Sequence, residues 1–283
     1  MKLLRLGARG EEVPVVRTDD GRFLDASTIT TDFDGVFLAS GGLDRLRAGL
    51  AAGALAEFDA EGLRMGAPVA RPGKVVCIGL NYLDHAAEIG AAIPSRPVVF
   101  MKDPGTVVGP YDDVLIPRGS ARTDWEVELA VVIGRRARYL TGPGEAADVI
   151  AGYAISHDVS EREFQLEFSS QWDLGKSCET FNPLGPWLAT ADEVADPQGI
   201  GLQLSVNGVK RQQGNTRDMI FPVARIVEYL SQYMVLEPGD VINTGTPAGV
   251  ALGLPGTPFL RPGDTVDLSV DGLGGQRQTF AQA

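Results

Sequence analysis

The chain has 283 residues, of which 25 are basic and 37 acidic, and its formal net charge is −12. This acidity, with no run of more than two Lys or Arg, argues against a nucleic-acid partner. The two cysteines, Cys77 and Cys178, lie far apart, which excludes a local zinc knuckle or CxxC redox pair and favours a reducing compartment. No apolar stretch reaches the roughly 18–20 residues of a membrane span, so we expect a cytoplasmic protein without a membrane partner.

Residues 1–70 differ in pattern from the rest of the chain. A short alternating start is followed by acidic turn clusters at 19–21 and 32–35. Leucines then recur at near-helical spacing, at Leu43, Leu46, Leu50 and Leu55. We therefore predict a small N-terminal α/β domain over 1–70, which packs near the active site and supports a dimer, and a longer domain over 71–283.

From residue 75 onward the pattern is rich in short strands. Candidates bounded by Gly, Pro or Asp are 75–80, 98–101, 129–133, 202–206, Val241–Asn243 and Thr265–Val270. The clearest helix is predicted over 222–233, where Pro222 suits the first turn and one face carries Val223, Ile226, Val227, Leu230 and Tyr233. Regular alternation of strands and helices is missing. We therefore predict a β-rich α+β fold with a mixed or antiparallel sheet, not a doubly wound parallel one.

A segment with two glutamates, Glu126 and Glu128, is the most informative in the chain. In a strand, alternation places both carboxylates on one face and Trp125, Val127 and Leu129 on the other. A solvated outer face is one interpretation of such a pair. The apolar run that follows instead favours a strand buried on both faces. Two buried carboxylates repel, and with a third oxygen donor they would form a site for a hard cation such as Mg²⁺.

Asp158 is the candidate for that third donor. It closes the apolar segment 149–158, and the end of a strand there would direct its carboxylate into a cleft. The spacing is equally consistent with a capping role, because a helix can start just after Ser160.

Two familiar catalytic motifs are excluded. The segment 175–177 ends like a P-loop, but the glycine that this motif needs at position 170 is Ser170. No Gly-x-Ser-x-Gly elbow is present, and with only His85 and His157 available a Ser-His-Asp hydrolase has little material. Metal coordination by oxygen atoms alone remains.

His85 and Glu88 are three residues apart, which places both on one face of a helix. A carboxylate beside an imidazole orients it and raises its basicity, as a water-activating base requires. A surface pair without function is the alternative interpretation of this spacing. The loop 243–250 is rich in Gly and Pro and follows a strand, so it can offer backbone N–H groups and a hydroxyl to a carboxylate.

Together these segments resemble the fumarylacetoacetate hydrolase superfamily, over about residues 72–280. The motifs that carry the resemblance are, in chain order, Asn81-Tyr82-x-x-His85-x-x-Glu88, Asp124-Trp125-Glu126-x-Glu128-Leu129-Ala130, His157-Asp158-Val159-Ser160-x-Arg162, Gly175-Lys176-Ser177, Pro183-Leu184-Gly185-Pro186-Trp187 and Thr244-Gly245-Thr246-Pro247-x-Gly249-Val250. The whole chain is most similar to the branch of 2,4-diketo-3-deoxy-sugar-acid hydrolases and ureidoglycolate lyase-like proteins.

The resemblance implies a mixed β-sandwich roll, a homodimer, and a Mg²⁺ or Mn²⁺ ion held by three carboxylates. By motif position, the implied metal ligands are Glu126, Glu128 and Asp158, the substrate contacts are Gln165, Lys176 and Thr246, and the catalytic groups are Lys176 with the lid pair His85 and Glu88. His157 departs from the family pattern, which often has Asn there, and this leaves the surroundings of Asp158 open.

The implied activity is hydrolysis of a C–C bond in a 2,4-dioxo acid, which yields pyruvate and a second acid. In this interpretation His85 and Glu88 activate water, while Lys176 and Gln165 stabilise the oxyanion. Decarboxylation or isomerisation of a related oxo acid, and ureidoglycolate lyase activity, are alternatives within the family. A non-catalytic, metabolite-binding dimer is a more remote one.

Overall fold

The structure is a computed structural model that describes residues 1–168 and 170–283. In this part of the chain the strands are β1 (Lys2–Leu6), β2 (Val13–Arg17), β3 (Phe23–Asp25), β4 (Met65–Gly66), β5 (Val75–Gly79), β6 (Val98–Lys102), β7 (Val107–Val108), β8 (Val114–Ile116), β9 (Thr123–Asp124), β10 (Val127–Ile133), β11 (Ile150–His157), β12 (Ser160–Glu161), β13 (Asn182–Thr190), β14 (Gly201–Val206), β15 (Val209–Asn215), β16 (Val241–Asn243), β17 (Thr265–Val270) and β18 (Gly274–Gln282). The α-helices are α1 (Gly35–Ala39), α2 (Gly42–Ala51), α3 (Leu83–Glu88), α4 (Arg162–Leu166), α5 (Asp173–Lys176) and α6 (Val223–Ser231).

A large mixed sheet forms the centre of the molecule. Its main path runs β3-β2-β1-β13-β11-β10-β16-β5-β6, with β4 beside β1 and β7 beside β13. Most pairs are antiparallel, whereas β16 with β5 and β13 with β7 are parallel. The predicted β-rich, mixed architecture is thereby confirmed.

The central strand β10 is buried along its whole length, as its apolar sequence predicts. Val127 and Leu129 contribute to one hydrophobic core, and Ala130 and Val132 to a second core on the opposite face of the sheet. Burial of each large apolar side chain stabilises the fold by roughly 1.5–3 kcal/mol. This strand therefore fixes the register of the residues that precede it.

A second sheet, in the order β15-β14-β17-β18-β8, shares the first of these cores. Its strands Gly201–Val206 and Thr265–Val270 match the predicted segments closely, whereas Gly274–Gln282 was not predicted. The sequence of β18 is mostly polar. Gln276 and Gln278 on its inward face are nevertheless buried, and their side-chain amides donate hydrogen bonds to backbone carbonyls. Pattern recognition based on apolar residues misses such a strand.

The predicted helix at 222–233 is shorter than expected. It runs over Val223–Ser231, with Pro222 at the N-cap, and its buried face includes Val223, Ile226 and Leu230. Tyr233 lies beyond the end of the helix and is exposed, so its placement on the same helical face as these residues was wrong. None of the described helices is long and apolar enough to cross a membrane.

The N-terminal segment is joined to the main sheet. Strand β1 pairs with β13 at Lys2 and Ala189, and Leu3 and Leu46 lie in the same core as Val75. Its leucine pattern corresponds to the helix Gly42–Ala51. The division into domains at residue 70 stays a prediction.

Candidate active site

Three buried carboxylates converge where two central strands lie side by side. Glu126 directly precedes β10, Glu128 lies within it, and Asp158 directly follows β11. The antiparallel pairing places Val127 opposite His157, and the Asp158 N–H donates to the Glu126 carbonyl at 3.0 Å. One oxygen from each side chain lies within 4.8 Å of the others. We call Glu126, Glu128 and Asp158 the carboxylate triad.

The structure separates the two interpretations of Asp158. Helix α4 begins at Arg162, and its N-cap is Glu161, whose side chain accepts from the Glu163 N–H. Asp158 is fully buried within the carboxylate triad. It therefore does not cap this helix.

Three cations surround the carboxylate triad. Lys176 Nζ donates to Glu126 Oε2 and Asp158 Oδ2, both at 2.9 Å. Lys102 Nζ donates to Asp158 Oδ1 at 2.5 Å and to the Val159 carbonyl at 3.0 Å. These contacts offset part of the repulsion among the buried anions.

Arg162 links the triad to the cavity wall. Its Nη2 donates to Glu126 Oε1 at 2.7 Å, its Nε to Asp124 Oδ2 at 2.8 Å, and its Nη1 to Gln165 Oε1 at 2.9 Å. The planar guanidinium thus holds three acceptors in a fixed arrangement.

The surroundings shift the pKa values of the two glutamates of the triad in opposite directions. Burial alone would raise the pKa of Glu126, but the charges of Lys176 and Arg162 outweigh it and hold this pKa well below its ordinary value. Burial, reinforced by the neighbouring anions Asp158 and Glu126, raises the pKa of Glu128 well above its ordinary value. The charge of Lys176 opposes this rise in the pKa of Glu128 but does not outweigh it.

The donor set fits a hard divalent cation. Mg²⁺ and Mn²⁺ prefer carboxylate oxygens, and the triad offers three within a small, buried space. The nearest thiol, Cys77, is a poor competitor, because burial raises its pKa well above the ordinary value and keeps it protonated. The Gly245 N–H donates to Glu128 Oε2 at 2.7 Å and orients that carboxylate.

His85 and Glu88 lie on helix α3, and His85 lines the same cavity. His85 Nδ1 and Glu88 Oε2 are 3.2 Å apart, and Glu88 Oε1 accepts from the Gly249 N–H at 2.9 Å. His85 is only 7% exposed and lines the cavity. The pair is therefore not a solvated surface pair.

Gln165 and Thr246 also line this cavity. Because Gln165 Oε1 accepts from Arg162, the amide nitrogen is the donor that remains for a ligand. Thr246 Oγ1 donates to the Val127 carbonyl at 2.9 Å and accepts from Gln212 Nε2 at 2.8 Å. Six of the eight residues singled out in the sequence line this cavity: His85, Glu126, Glu128, Gln165, Lys176 and Thr246. The other two, Glu88 and Asp158, lie behind it and contact His85 and Lys176.

The cavity has a volume of about 120 Å³. Its floor contains Glu126, Glu128 and Lys176, and its walls are largely apolar. Trp172 forms part of the wall and packs over Gly79, where an added Cβ would lie 2.5 Å from the indole ring. A glycine is needed at this point of close approach.

Sequence reasoning missed two residues at the site, Lys102 and Gln212. Lys102 ends strand β6 and is buried. In the sequence, the available signal was a lysine that directly follows the four apolar residues 98–101. Gln212 accepts from the Val127 N–H at 3.0 Å and donates to the Pro247 carbonyl at 2.8 Å, which ties the loop at 243–250 to strand β10. Nothing in its polar strand marks Gln212 as different from its neighbours.

His157 lies beside the triad without belonging to it. Its Nδ1 is 2.8 Å from Gln278 Oε1, and because that oxygen only accepts, Nδ1 carries the proton. Burial lowers the pKa of His157 to about 4, so the ring is neutral. The surroundings of Asp158 that the sequence left open are thus a neutral imidazole held by β18.

Comparison with known proteins agrees with this geometry. The family model described as Fumarylacetoacetate (FAA) hydrolase C-terminal matches residues 74–281. A relative from Burkholderia ambifaria is 50% identical over 284 residues, which cover 100% of both chains. The solved fumarylacetoacetate hydrolase of the psychrophilic Exiguobacterium antarcticum is 33% identical, with a TM-score of 0.86 and 100% coverage of both chains.

A third similar protein was solved with ligands. It is a maleylpyruvate hydrolase from Sphingobium sp. SYK-6 in complex with manganese(II) ion and pyruvate, and it is 27% identical, with a TM-score of 0.82 and 100% coverage of both chains. The family model and the full-length similarity confirm the resemblance that the motifs indicated. The chain belongs to the fumarylacetoacetate hydrolase family.

Proposed function

We propose that this protein is a metal-dependent hydrolase that cleaves a C–C bond in 2,4-dioxo acids and releases pyruvate with a second acid. The observation that carries the proposal is one cavity lined by Glu126 and Glu128 of the carboxylate triad, by Lys176 and by His85. The manganese ion and the pyruvate bound in the similar maleylpyruvate hydrolase support the same cofactor class and product.

The carboxylate triad would hold Mg²⁺ or Mn²⁺. Such an ion would supply Lewis-acid charge beside the substrate and would stabilise negative charge on its pyruvate part. Arg162 and the Gly245 N–H keep two of the three carboxylates oriented toward the cavity. Thr246 would exchange its hydrogen bond to the Val127 carbonyl for one to the substrate's carboxylate.

His85 would act as the base that activates water. Glu88 accepts from Nδ1, which places the ring proton on that nitrogen and leaves the lone pair on Nε2 to take a proton from water. The Gly249 N–H holds Glu88 in turn. The pair thus forms a fixed proton acceptor at the cavity.

The water oxygen would add to the C4 carbonyl, and C4 becomes tetrahedral with a negatively charged oxygen. Lys176 Nζ and the Gln165 amide would donate to that oxygen, and each such donor lowers the barrier by roughly 3–4 kcal/mol. The C3–C4 bond then breaks, its electron pair stays with C3, and C4 leaves as a carboxylic acid. A proton returned to C3 completes pyruvate.

The proposal is tested with a panel of acylpyruvates, 2,4-diketo-3-deoxy acids, oxaloacetate and ureidoglycolate. Each is incubated after chelation and again after Mg²⁺ or Mn²⁺ is restored, while pyruvate, CO₂, glyoxylate and isomer formation are measured. We expect metal-dependent pyruvate release, without CO₂, from dioxo acids. Turnover of oxaloacetate alone to pyruvate and CO₂, isomerisation alone, release of glyoxylate from ureidoglycolate alone or no turnover would replace this function by the corresponding alternative.

A variant pair links the activity to the triad. Glu126→Gln removes one carboxylate from the triad, whereas Glu179→Gln makes the same change at an exposed position outside the site. We expect pyruvate release to fall by about 100-fold or more in the first variant only. Equal activity of the two variants would remove the triad from the mechanism.

A further inference from the structure

We propose that the distal end of the substrate, the group beyond C4, is uncharged and apolar. This inference rests on the proposed function and names the substrate class of the same site. It selects alkyl- and aryl-acylpyruvates over dicarboxylic dioxo acids and over polyhydroxylated sugar-derived acids. The wall of the cavity and the positions of its charges carry the inference.

The wall away from the triad is apolar. Its side chains are Leu80, Ile89, Phe100, Leu166, Trp172 and Leu252. The rings of Phe100 and Trp172 are 5.4 Å apart with an angle of 60° between their planes, and they form a continuous aromatic surface. Such a surface gains free energy from an alkyl or aryl group, and the indole N–H of Trp172 is the one side-chain hydrogen-bond donor among these six residues.

The cations of the cavity already have anionic partners. Among the described residues that line it, Arg162 and Lys176 are the two permanent cations. Arg162 is bonded to two carboxylates and an amide oxygen, and Lys176 is bonded to two carboxylates of the triad. Arg162 shares its charge between two carboxylates, and the remaining N–H of Lys176 is assigned to the oxyanion at C4, so neither cation is reserved for a second substrate carboxylate.

The charge balance of the buried cluster also disfavours a second carboxylate on the substrate. Three cations, Lys102, Arg162 and Lys176, face four carboxylates, those of the triad and Asp124. A divalent cation in the triad turns this balance into an excess of one positive charge. The single 1-carboxylate of a dioxo acid neutralises that excess, and the described lining residues supply no permanent cation besides Arg162 and Lys176. A second carboxylate would therefore have no cation of its own in the cavity.

The test compares two substrates of the same shape. Succinylpyruvate ends in a carboxylate, and 7-methyl-2,4-dioxooctanoate carries an isopropyl group in its place. We expect kcat/KM for pyruvate release to be at least about 100-fold higher for the apolar substrate, the cost of one unpaired buried charge. Equal or higher kcat/KM for succinylpyruvate overturns the inference and leaves the proposed hydrolase intact.

A binding measurement distinguishes failure of the apolar-end inference from failure of the proposed hydrolase function. The 2-oxo acids 5-methyl-2-oxohexanoate and 2-oxoglutarate are isosteric and lack the C4 carbonyl, so they bind without being cleaved. We expect the first to raise the Tm of the metal-loaded protein at lower concentration than the second. If no dioxo acid yields pyruvate, the proposed function fails; if 2-oxoglutarate binds as tightly as its apolar isostere, the apolar-end inference fails by itself.

A wall variant tests the location. Leu166 lines the cavity and is 48% exposed, so Leu166→Lys places an ammonium group at the wall with little cost to the core. Val209 is similarly exposed, on β15 and outside the cavity, and Val209→Lys is the matched control. We expect the preference for the apolar substrate to shrink by about tenfold in the Leu166 variant only. An unchanged preference in both variants would contradict a role for this wall.

Discussion

Lys176 is the buried cation that the proposed mechanism uses most directly. It is 2% exposed, and its ammonium group lies 5.0 Å from the centre of the Phe100 ring in addition to its two carboxylate contacts. Burial opposes the charge of this amine, yet Asp158 and Glu126 outweigh burial and raise the pKa of Lys176 above its ordinary value. The group therefore remains a cation at neutral pH.

Replacement by a side chain of similar length isolates this charge. In Lys176→Met we expect kcat for pyruvate release to fall by about two to three orders of magnitude, the cost of one oxyanion donor. Circular dichroism is expected to show an unchanged fold. A folded variant with more than a tenth of the wild-type kcat would contradict the assigned role.

Gln212 has a structural role at the residue scale. Its amide satisfies the Val127 N–H, the Thr246 hydroxyl and the Pro247 carbonyl in a fully buried environment. In Gln212→Leu these partners lose their bonds, so we expect the free energy of unfolding in urea to fall by about 1–3 kcal/mol. The exposed neighbour Gln213 gives the control Gln213→Leu, and an equal loss in both variants would contradict this account.

Some residues of the site can be predicted from the sequence and others cannot. The two-residue period of a strand was enough to place Glu126 and Glu128 on one face, because register follows from the buried neighbours. The positions of Lys102 and Gln212 depend on strands that approach from elsewhere in the chain, and no local pattern encodes that approach. The motifs for His85 and Asp158 were informative only in combination.

At the level of secondary structure, the turn between β5 and α3 positions His85 and Glu88. Leu80 in this turn has φ of +53°, a left-handed conformation that is uncommon for a leucine. The side chain of Asn81 holds the turn, because it donates to the carbonyls of Phe221 and Thr244 and accepts from the Phe221 N–H. The apolar pattern of β5 predicts the strand, whereas the clamp by Asn81 joins segments that are distant in sequence.

Helix α3 packs near the turn at Ala251–Gly253. A Cβ added at Gly253 would lie 2.3 Å from Glu88 Cδ, so Gly253→Ala pushes the Glu88 side chain away from its position beside His85. We expect kcat to fall by about 10- to 100-fold. The free energy of unfolding should stay within about 0.5 kcal/mol of the wild type.

Gly144→Ala is the control for this change, because a Cβ there meets no atom within 4 Å. Its kcat is expected to match that of the wild type. Wild-type activity in Gly253→Ala as well would show that the position of Glu88 does not limit the reaction.

At the scale of the whole molecule, charged side chains connect the N-terminal segment to the remainder. Arg64 donates to Glu12 Oε1 at 2.9 Å and to Asp112 Oδ1 at 2.7 Å, while Arg5 donates to Glu12 Oε2 at 3.2 Å. Together with the pairing of β1 and β13, these contacts make the N-terminal strands an extension of the main sheet. Such long-range pairings leave no local signal in the sequence. The separate N-terminal domain and the homodimer that the family resemblance implies both stay predictions.

The network around Glu12 predicts a dependence of stability on pH. Burial alone would raise the pKa of Glu12, but its own backbone N–H and the charges of Arg5 and Arg64 lower it below the ordinary value of 4.5. A lowered pKa in the folded state contributes stability above the unfolded value, and this contribution is lost as the pH falls through the folded pKa. The difference in unfolding free energy between wild type and Glu12→Gln should therefore shrink below pH 4.5.

Urea denaturation at a series of pH values measures this difference. The exposed neighbour provides the control Glu11→Gln, for which we expect no comparable change with pH. A difference for Glu12→Gln that stays constant from neutral pH to well below 4.5 would contradict the network.

We propose that the residues of this cavity catalyse metal-dependent hydrolysis of the C3–C4 bond of a 2,4-dioxo acid. Proton NMR of 2,4-dioxopentanoate during turnover tests it most directly, because both products carry distinct methyl signals. With Mg²⁺ or Mn²⁺ present, the account predicts that acetate and pyruvate appear together in equal amounts, and that chelation stops both. Loss of substrate without acetate, or equal amounts of product in the presence of excess chelator, would contradict it.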